Sequence, residues 1–275
     1  DINEERQRKV GILVKKVVET FDPDLKVIVT TDPREAFTDA DFVFAQMRVG
    51  LYRMRELDEK IPLKYDVIGQ ETCGPGGLAY GLRTIYPMAE LIDFCERYAK
   101  SSYWIVNYSN PAAIVAKAMH ILRPKARILN ICDMPVAIMR NMANILGCDR
   151  HDIVADYFGL NHFGWFTKIR VKDQDRTEEL KAYVREHGYT PPEEKDQVRQ
   201  EEASWKHTYE NAKYLAQMFP DYLPNTYMQY YLLGDQIVRE ADKNHTRANE
   251  VMEGREKQIF DAADDYERTG EIDMT

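Results

Sequence analysis

What most constrains this chain is the spacing of its short β-branched and aromatic runs. Lys26–Thr31 (KVIVTT), Asp41–Met47 (DFVFAQM), Tyr103–Tyr108 (YWIVNY) and Arg127–Cys132 (RILNIC) each have strand length and strand composition, and longer segments separate them. All four read as strands, the first two as buried ones. Ahead of the first, Val10, Leu13, Val14, Val17 and Phe21 recur at helical steps with Lys and Arg between them, which predicts an amphipathic helix over Asn3–Phe21. A second helix is expected from about Leu78 to Tyr98. Asn110-Pro111 should open a third, with Asn capping the free amides and Pro in the first turn. Asp133, Met134 and Pro135 lead into a fourth, carrying Val136, Met139, Met142 and Ile145. Strands alternating with helices of this length imply an α/β fold with a mainly parallel sheet covered on both faces.

After Asp156 the pattern changes to GLNHFGWF, then to a polar stretch with Glu193, Glu194, Lys195 and Asp196, then to a tyrosine-rich segment. Two domains are therefore expected, 1–156 and 157–275. Composition narrows the function classes. The net charge of -9 and pI near 5.3 argue against a general nucleic-acid binder, because such a surface repels phosphate on average. No apolar stretch is long enough to span a membrane, and the charged opening DINEERQRKV is unlike a secretion signal. Four cysteines, at 73, 95, 132 and 148, form no C-x-x-C pair and suit a reducing compartment, so a cytoplasmic location is expected.

Ligands of a parallel sheet collect at the carboxyl ends of its strands, and Arg48, Asn107, Asn110, Cys132 and Asp133 all fall there. Each has an ordinary reading too. Cys132 could be a small core residue and His162 a packed histidine; together with Asp133 they could instead form an incomplete divalent-metal shell with positions open to substrate oxygens. The glycines of Gln70–Gly77 (QETCGPGG) could make only a tight loop or could let backbone approach a ligand, and they lack the spacing of a phosphate cradle. Tyr227, Tyr230 and Tyr231 read first as a packed helix face. Arg55, Arg83, Arg247 and Arg255 read either as partners of nearby Glu56, Glu250 and Glu256 or as anion binders.

Six segments in order, DADFVFAQMRVG, QETCGPGG, NYSNPA, NICDMP, GLNHFGW and NTYMQYY, closely resemble glycoside hydrolase family 4, the nicotinamide- and metal-dependent phosphoglycosidases. The resemblance runs through the whole chain. Asp133 directly after the metal cysteine points to the branch acting on 6-phospho-α-glucosides such as maltose 6-phosphate. By resemblance, Cys132 and His162 are metal ligands, usually for Mn2+ or another divalent metal, Asp133 is the general acid and Tyr227 the general base. Arg55, Asn110 and Arg247 correspond to substrate-binding positions, and Asp1 to the acidic residue that faces the adenosine ribose of NAD.

Such enzymes depart from two-carboxylate glycosidase chemistry. Hydride passes from C3 of the sugar to NAD, the resulting ketone acidifies the C2 proton, and the base removes it while the metal steadies the enediolate. The acid protonates the leaving oxygen at C1, water adds back and the hydride returns, with no net redox. The implied fold is a Rossmann-like sheet followed by an α+β catalytic domain. Members of the family begin with a further strand and Gly-rich nucleotide loop and continue with further helices, so the sequence reads as an interior fragment with a partial NAD-binding domain and a truncated catalytic domain. The complete enzyme is expected to be a homo-oligomer acting on a phosphorylated disaccharide or glycoside. The competing readings are a 2-hydroxy-acid dehydrogenase, which would leave NADH behind and gives Cys132 and His162 no shared task, and an inactive binding remnant.

Overall fold

The computed structural model describes residues 2–192 and 203–271, so Asp1 and the stretch Glu193, Glu194, Lys195 and Asp196 lie outside the described residues. The described residues gather into two compact units, one drawn from within 1–57, 79–130 and 245–275 and the other from within 58–78 and 131–244. No helix among them is long and apolar enough to cross a membrane.

The first unit is built on a parallel sheet of β1 (Phe42–Ala45), β2 (Trp104–Asn107) and β3 (Ile128–Asn130), in that order. Phe42 pairs with Trp104, and Ile105 with Ile128. Burial of Ala45 and Ile105 against Met88 and Ile92 from the helix Gly74–Tyr98, and against Val115 and Met119 from the helix Ala112–Leu122, makes its core. The predicted first helix runs Glu4–Phe21, and the Asn3 side chain accepts the Arg6 amide at 2.9 Å to cap it. Its basic face meets the acidic helix Lys257–Thr269, with Lys9 Nζ 2.7 Å from Asp264.

Three local expectations are corrected. Lys26–Thr31 forms no strand, and Ile28 is 55% exposed. A β-branched run becomes a strand only where a neighbour completes its ladder, and here the Thr30 carbonyl accepts from the Gln7 side chain. β1 is not fully buried either: Phe42 and Phe44 point to one face and are 64% and 78% exposed, so only the face carrying Ala45 packs inward. Asn110 caps nothing. Pro111 is itself extended (ψ 119°), which moves the start of the helix to Ala112.

The second unit centres on a hairpin of β4 (Ile153–Leu160) and β5 (Phe163–Val171), with β6 (Gln174–Asp175) and β7 (Leu223–Pro224) pairing antiparallel to β5. Tyr157 lies within β4, inside this unit. Fully buried Ile138 and Met142 from the helix Met134–Leu146 pack with Phe166 and Ile169 of β5 and Leu180 and Val184 of the helix Thr177–His187. Leu160 pairs with Phe163, which leaves Asn161 and His162 as the whole turn. His162 occupies the left-handed region at φ 63°, a conformation costing an L-residue roughly 1–2 kcal/mol.

Gly159 makes this turn possible. It sits at φ 121°, and a Cβ there would lie 2.5 Å from the Phe163 carbonyl oxygen and 2.6 Å from Gly164 Cα. Gly159→Ala is therefore expected to destabilise the protein by about 1–3 kcal/mol through combined backbone strain and overpacking. Thermal unfolding of the variant checks this, and an unchanged midpoint would mean that the turn adapts without loss.

Candidate active site

Cys132 follows β3 and stands two residues before the helix Met134–Leu146. Chain direction thus brings its sulfur to a helix N-terminus, where free amides and the helix dipole favour negative charge. The Met134 amide and the Asn161 side chain hydrogen-bond the sulfur and hold its pKa down, yet burial outweighs them and pushes the thiol above its ordinary value. Asp133 stands at the N-cap of the same helix, but its side chain makes no capping hydrogen bond. The ordinary reading of Asp133 as a cap is thereby removed.

His162 reaches the same place from the hairpin. Its Nε2 lies 3.5 Å from Cys132 Sγ, and only 7% of the residue is exposed. Desolvation lowers its pKa to about 4, against the opposing pull of the Glu71 and Asp133 carboxylates, so the ring is neutral at physiological pH. A neutral imidazole facing a sulfur is a donor pair suited to a borderline divalent ion such as Zn2+ or Fe2+, and the harder Mn2+ would take its remaining ligands from oxygen. Among the described residues no group of three or more His, Cys, Asp or Glu side chains could hold a metal. The pair fits an incomplete shell whose other positions go to non-protein oxygens.

Tyr227 packs over the histidine, with ring centroids 4.3 Å apart at 54°. It is positioned by Asn225, which is wholly buried and has each side-chain group used: Oδ1 accepts the Tyr227 amide at 3.0 Å and Nδ2 donates to Tyr157 O–H at 3.1 Å. The Asn225 amide in turn donates to the Gly164 carbonyl at 2.9 Å, tying the tyrosine segment to the hairpin that carries His162. The helix-face reading of the tyrosines gives way to separate tasks. Tyr227 lies in a 3-10 turn, Thr226–Met228, while Tyr231 in the helix Gln229–Leu232 accepts the Cys73 thiol at 3.3 Å and meets Phe163 edge-on.

Cys132, Asp133, His162 and Tyr227 thus all belong to the second unit, and Arg55, Asn110 and Arg247 to the first. Arg55 is half-buried in the helix Leu51–Leu63. Its neighbour Glu56 accepts from Asn249 at 3.0 Å, which joins this helix to Arg247–Val251. Arg247 is paired with Glu250 at 3.0 Å, so the ordinary reading of that residue as an ion-pair partner holds in the present state. Asn110 offers its carbonyl to Thr84 at 3.4 Å. Arg48 lies over the rings of Tyr52 and Tyr80, 4.9 and 5.2 Å from their centroids. Asn107 is buried by structural duty, donating to Asn130 at 2.8 Å and accepting the Ser109 amide at 2.9 Å. The four cysteines are unbridged.

One residue escaped sequence reasoning. Thr72, in the loop whose glycines drew attention, stands 3.4 Å from His162 Nδ1. The loop is packed on itself: a Cβ on Gly77 would meet the Thr72 carbonyl carbon at 2.4 Å, so this glycine serves backbone packing. The available signal was a Gln two residues before a Thr, a spacing at which a side-chain oxygen captures the following amides.

Comparison with known proteins shows the family to which the chain is similar. The model of the family 4 glycosyl hydrolases matches residues 1–148, and that of the family 4 C-terminal domain matches residues 157–273. Maltose-6'-phosphate glucosidase of Bacillus subtilis is 52% identical over 266 residues, 96% of this chain and 58% of its own length. A crystal structure of a 6-phospho-α-glucosidase from gut microorganisms in complex with NAD and glucose-6-phosphate superposes with a TM-score of 0.94 at 56% identity, covering 99% of this chain and 62% of that one. A second such enzyme, in complex with NAD and Mn2+, gives a TM-score of 0.92 at 43% identity, covering 99% of this chain and 63% of that one. The chain therefore spans about three fifths of the length of the relatives it matches.

Proposed function

The chain belongs to family 4 of the glycosyl hydrolases, and from that premise we propose that it carries the catalytic centre of an NAD- and manganese-dependent 6-phospho-α-glucosidase, a cytoplasmic enzyme acting as a homo-oligomer on phosphorylated disaccharides such as maltose 6-phosphate. The observation that carries this reading is the approach of His162 Nε2 to Cys132 Sγ at 3.5 Å with the Tyr227 ring against the imidazole. A 2-hydroxy-acid dehydrogenase has no use for that arrangement.

Cys132 and His162 would hold the metal, and the carboxyl ends of β1, β2 and β3 present the side of a parallel sheet on which a dinucleotide lies. When bound, NAD supplies reversible oxidation at C3 and the metal supplies electrostatic stabilisation of the adjoining oxygens. The chain's own residues move the protons. Tyr227, held by its amide to Asn225, takes the proton from C2. Asp133 delivers a proton to the departing C1 oxygen, a task open to it because its carboxylate is not spent on capping. Arg55 and Arg247 recognise the 6-phosphate, Arg247 exchanging its Glu250 partner for the more highly charged anion, and Asn110 binds the sugar.

The full-length enzyme, given NAD and Mn2+, is expected to release glucose 6-phosphate from maltose 6-phosphate without lasting NADH. Charge-assisted hydrogen bonds to the phosphate are worth about 1.5–3 kcal/mol each, so unphosphorylated maltose should react at least tenfold more slowly. Product analysis beside absorbance of the reduced cofactor decides the matter. Accumulating NADH would move the protein to the dehydrogenases, and equal turnover of maltose would remove the phosphate assignment.

A further inference from the structure

A neutral imidazole carries one ring proton, and which nitrogen holds it decides which nitrogen can face a cation. At His162 the surrounding hydrogen bonds make that choice. Gln70 Oε1 accepts the backbone amides of Thr72 at 2.6 Å and Cys73 at 2.8 Å. Amides only donate, so the atom they share is the oxygen of Gln70 and not its nitrogen. The Thr72 hydroxyl lies 2.8 Å from the same oxygen and must donate to it as well. That uses its one proton.

Toward His162 Nδ1, 3.4 Å away, the Thr72 oxygen therefore has only lone pairs to offer. Nδ1 must carry the hydrogen, and Nε2 is left bare on the side of Cys132 Sγ. The competing contact of the hydroxyl, to Cys73 Sγ, is longer at 3.8 Å, and the Cys73 thiol is itself directed to Tyr231 O–H at 3.3 Å. We propose that Thr72, locked by Gln70, is the positioning residue that sets the Nδ1–H tautomer of His162 and so presents its Nε2 lone pair beside Cys132. Its value to a metal rests on the reading of His162 and Cys132 as ligands; the tautomer itself does not. Outer partners of ligating histidines commonly act in this way.

The test uses the full-length protein, metal-free, with its histidines labelled with nitrogen-15. Two-bond proton–nitrogen spectra distinguish a protonated from a bare ring nitrogen, and a His162→Gln spectrum identifies the resonances of that ring. Wild type should show His162 protonated at Nδ1 and bare at Nε2. Thr72→Val, nearly isosteric, should lose this pattern to the other tautomer or to an exchanging mixture, whereas Thr72→Ser should keep it. Manganese affinity should fall about 10- to 100-fold in Thr72→Val and recover in Thr72→Ser.

A wild-type ring protonated at Nε2 overturns the proposal, as does an unchanged pattern in Thr72→Val. If Thr72→Val fails to fold, Thr72→Ser losing the Nδ1–H pattern while folded overturns it equally. Adding Mn2+ separates the underlying reading, because a bound paramagnetic ion broadens the His162 signals. Sharp signals at saturating Mn2+, with the tautomer as expected, would count against the ligand assignment alone.

Discussion

Cys132→Ala is expected to lower turnover of maltose 6-phosphate by the full-length enzyme by at least about 100-fold, since loss of a mere outer partner already costs 10- to 100-fold at a metal site. The sulfur lies 3.5 Å from His162 Nε2, and burial holds the thiol pKa above its ordinary value. Without a cation Cys132 remains a neutral thiol. Metal binding must expel that proton, so affinity should rise with pH and binding should release acid into weakly buffered solution. With the sulfur gone, the imidazole is left without its neighbouring donor, and raising Mn2+ should restore only part of the activity. Titration of turnover against Mn2+, wild type beside variant, measures the loss. Full activity of Cys132→Ala in the presence of chelator would end the metal reading of this pair.

Tyr227→Phe is expected to reduce kcat by about 10²- to 10⁴-fold with little change in KM, the range over which a positioned acid or base contributes. The ring contact with His162 at 4.3 Å and the Asn225 cap on the Tyr227 amide survive in phenylalanine, so fold and site geometry should persist. Only the hydroxyl is lost. The same reading requires that wild-type product formed in heavy water carry deuterium at C2, because the abstracted proton exchanges before its return. Product free of C2 deuterium would refute abstraction there, whatever the variant does.

The strand and helix alternation was legible because burial imposes a period on residues close in sequence. Asn3–Phe21 and the helix after Asp133 follow from such local patterns. Lys26–Thr31 was misread because a strand is a relation between segments: its β-branched residues state a preference that only a neighbour can fulfil. The site divides in the same way. Cys132 and Asp133 were marked by their place past a strand end, and His162, thirty residues on, was open to a metal reading beside them, but Tyr227 acquired its role only through family resemblance. Thr72 stayed unseen because its relevant partner is ninety residues away, joined to it by a side-chain contact that leaves no periodic trace.

The turn that carries His162 has one further consequence. Because Leu160 pairs with Phe163, the histidine has no slack in the loop by which to shift position. One inserted residue would displace the chain by about 3.3 Å and turn alternate side chains to the opposite face. On this scaffold the donor cannot be brought nearer or farther by small steps in loop length; its reach comes in whole ladder units, and the imidazole falls either beside the sulfur or out of range. Redesign for a larger or softer ion would therefore have to exchange the donors themselves, His162 for a shorter or longer side chain, and leave the hairpin untouched.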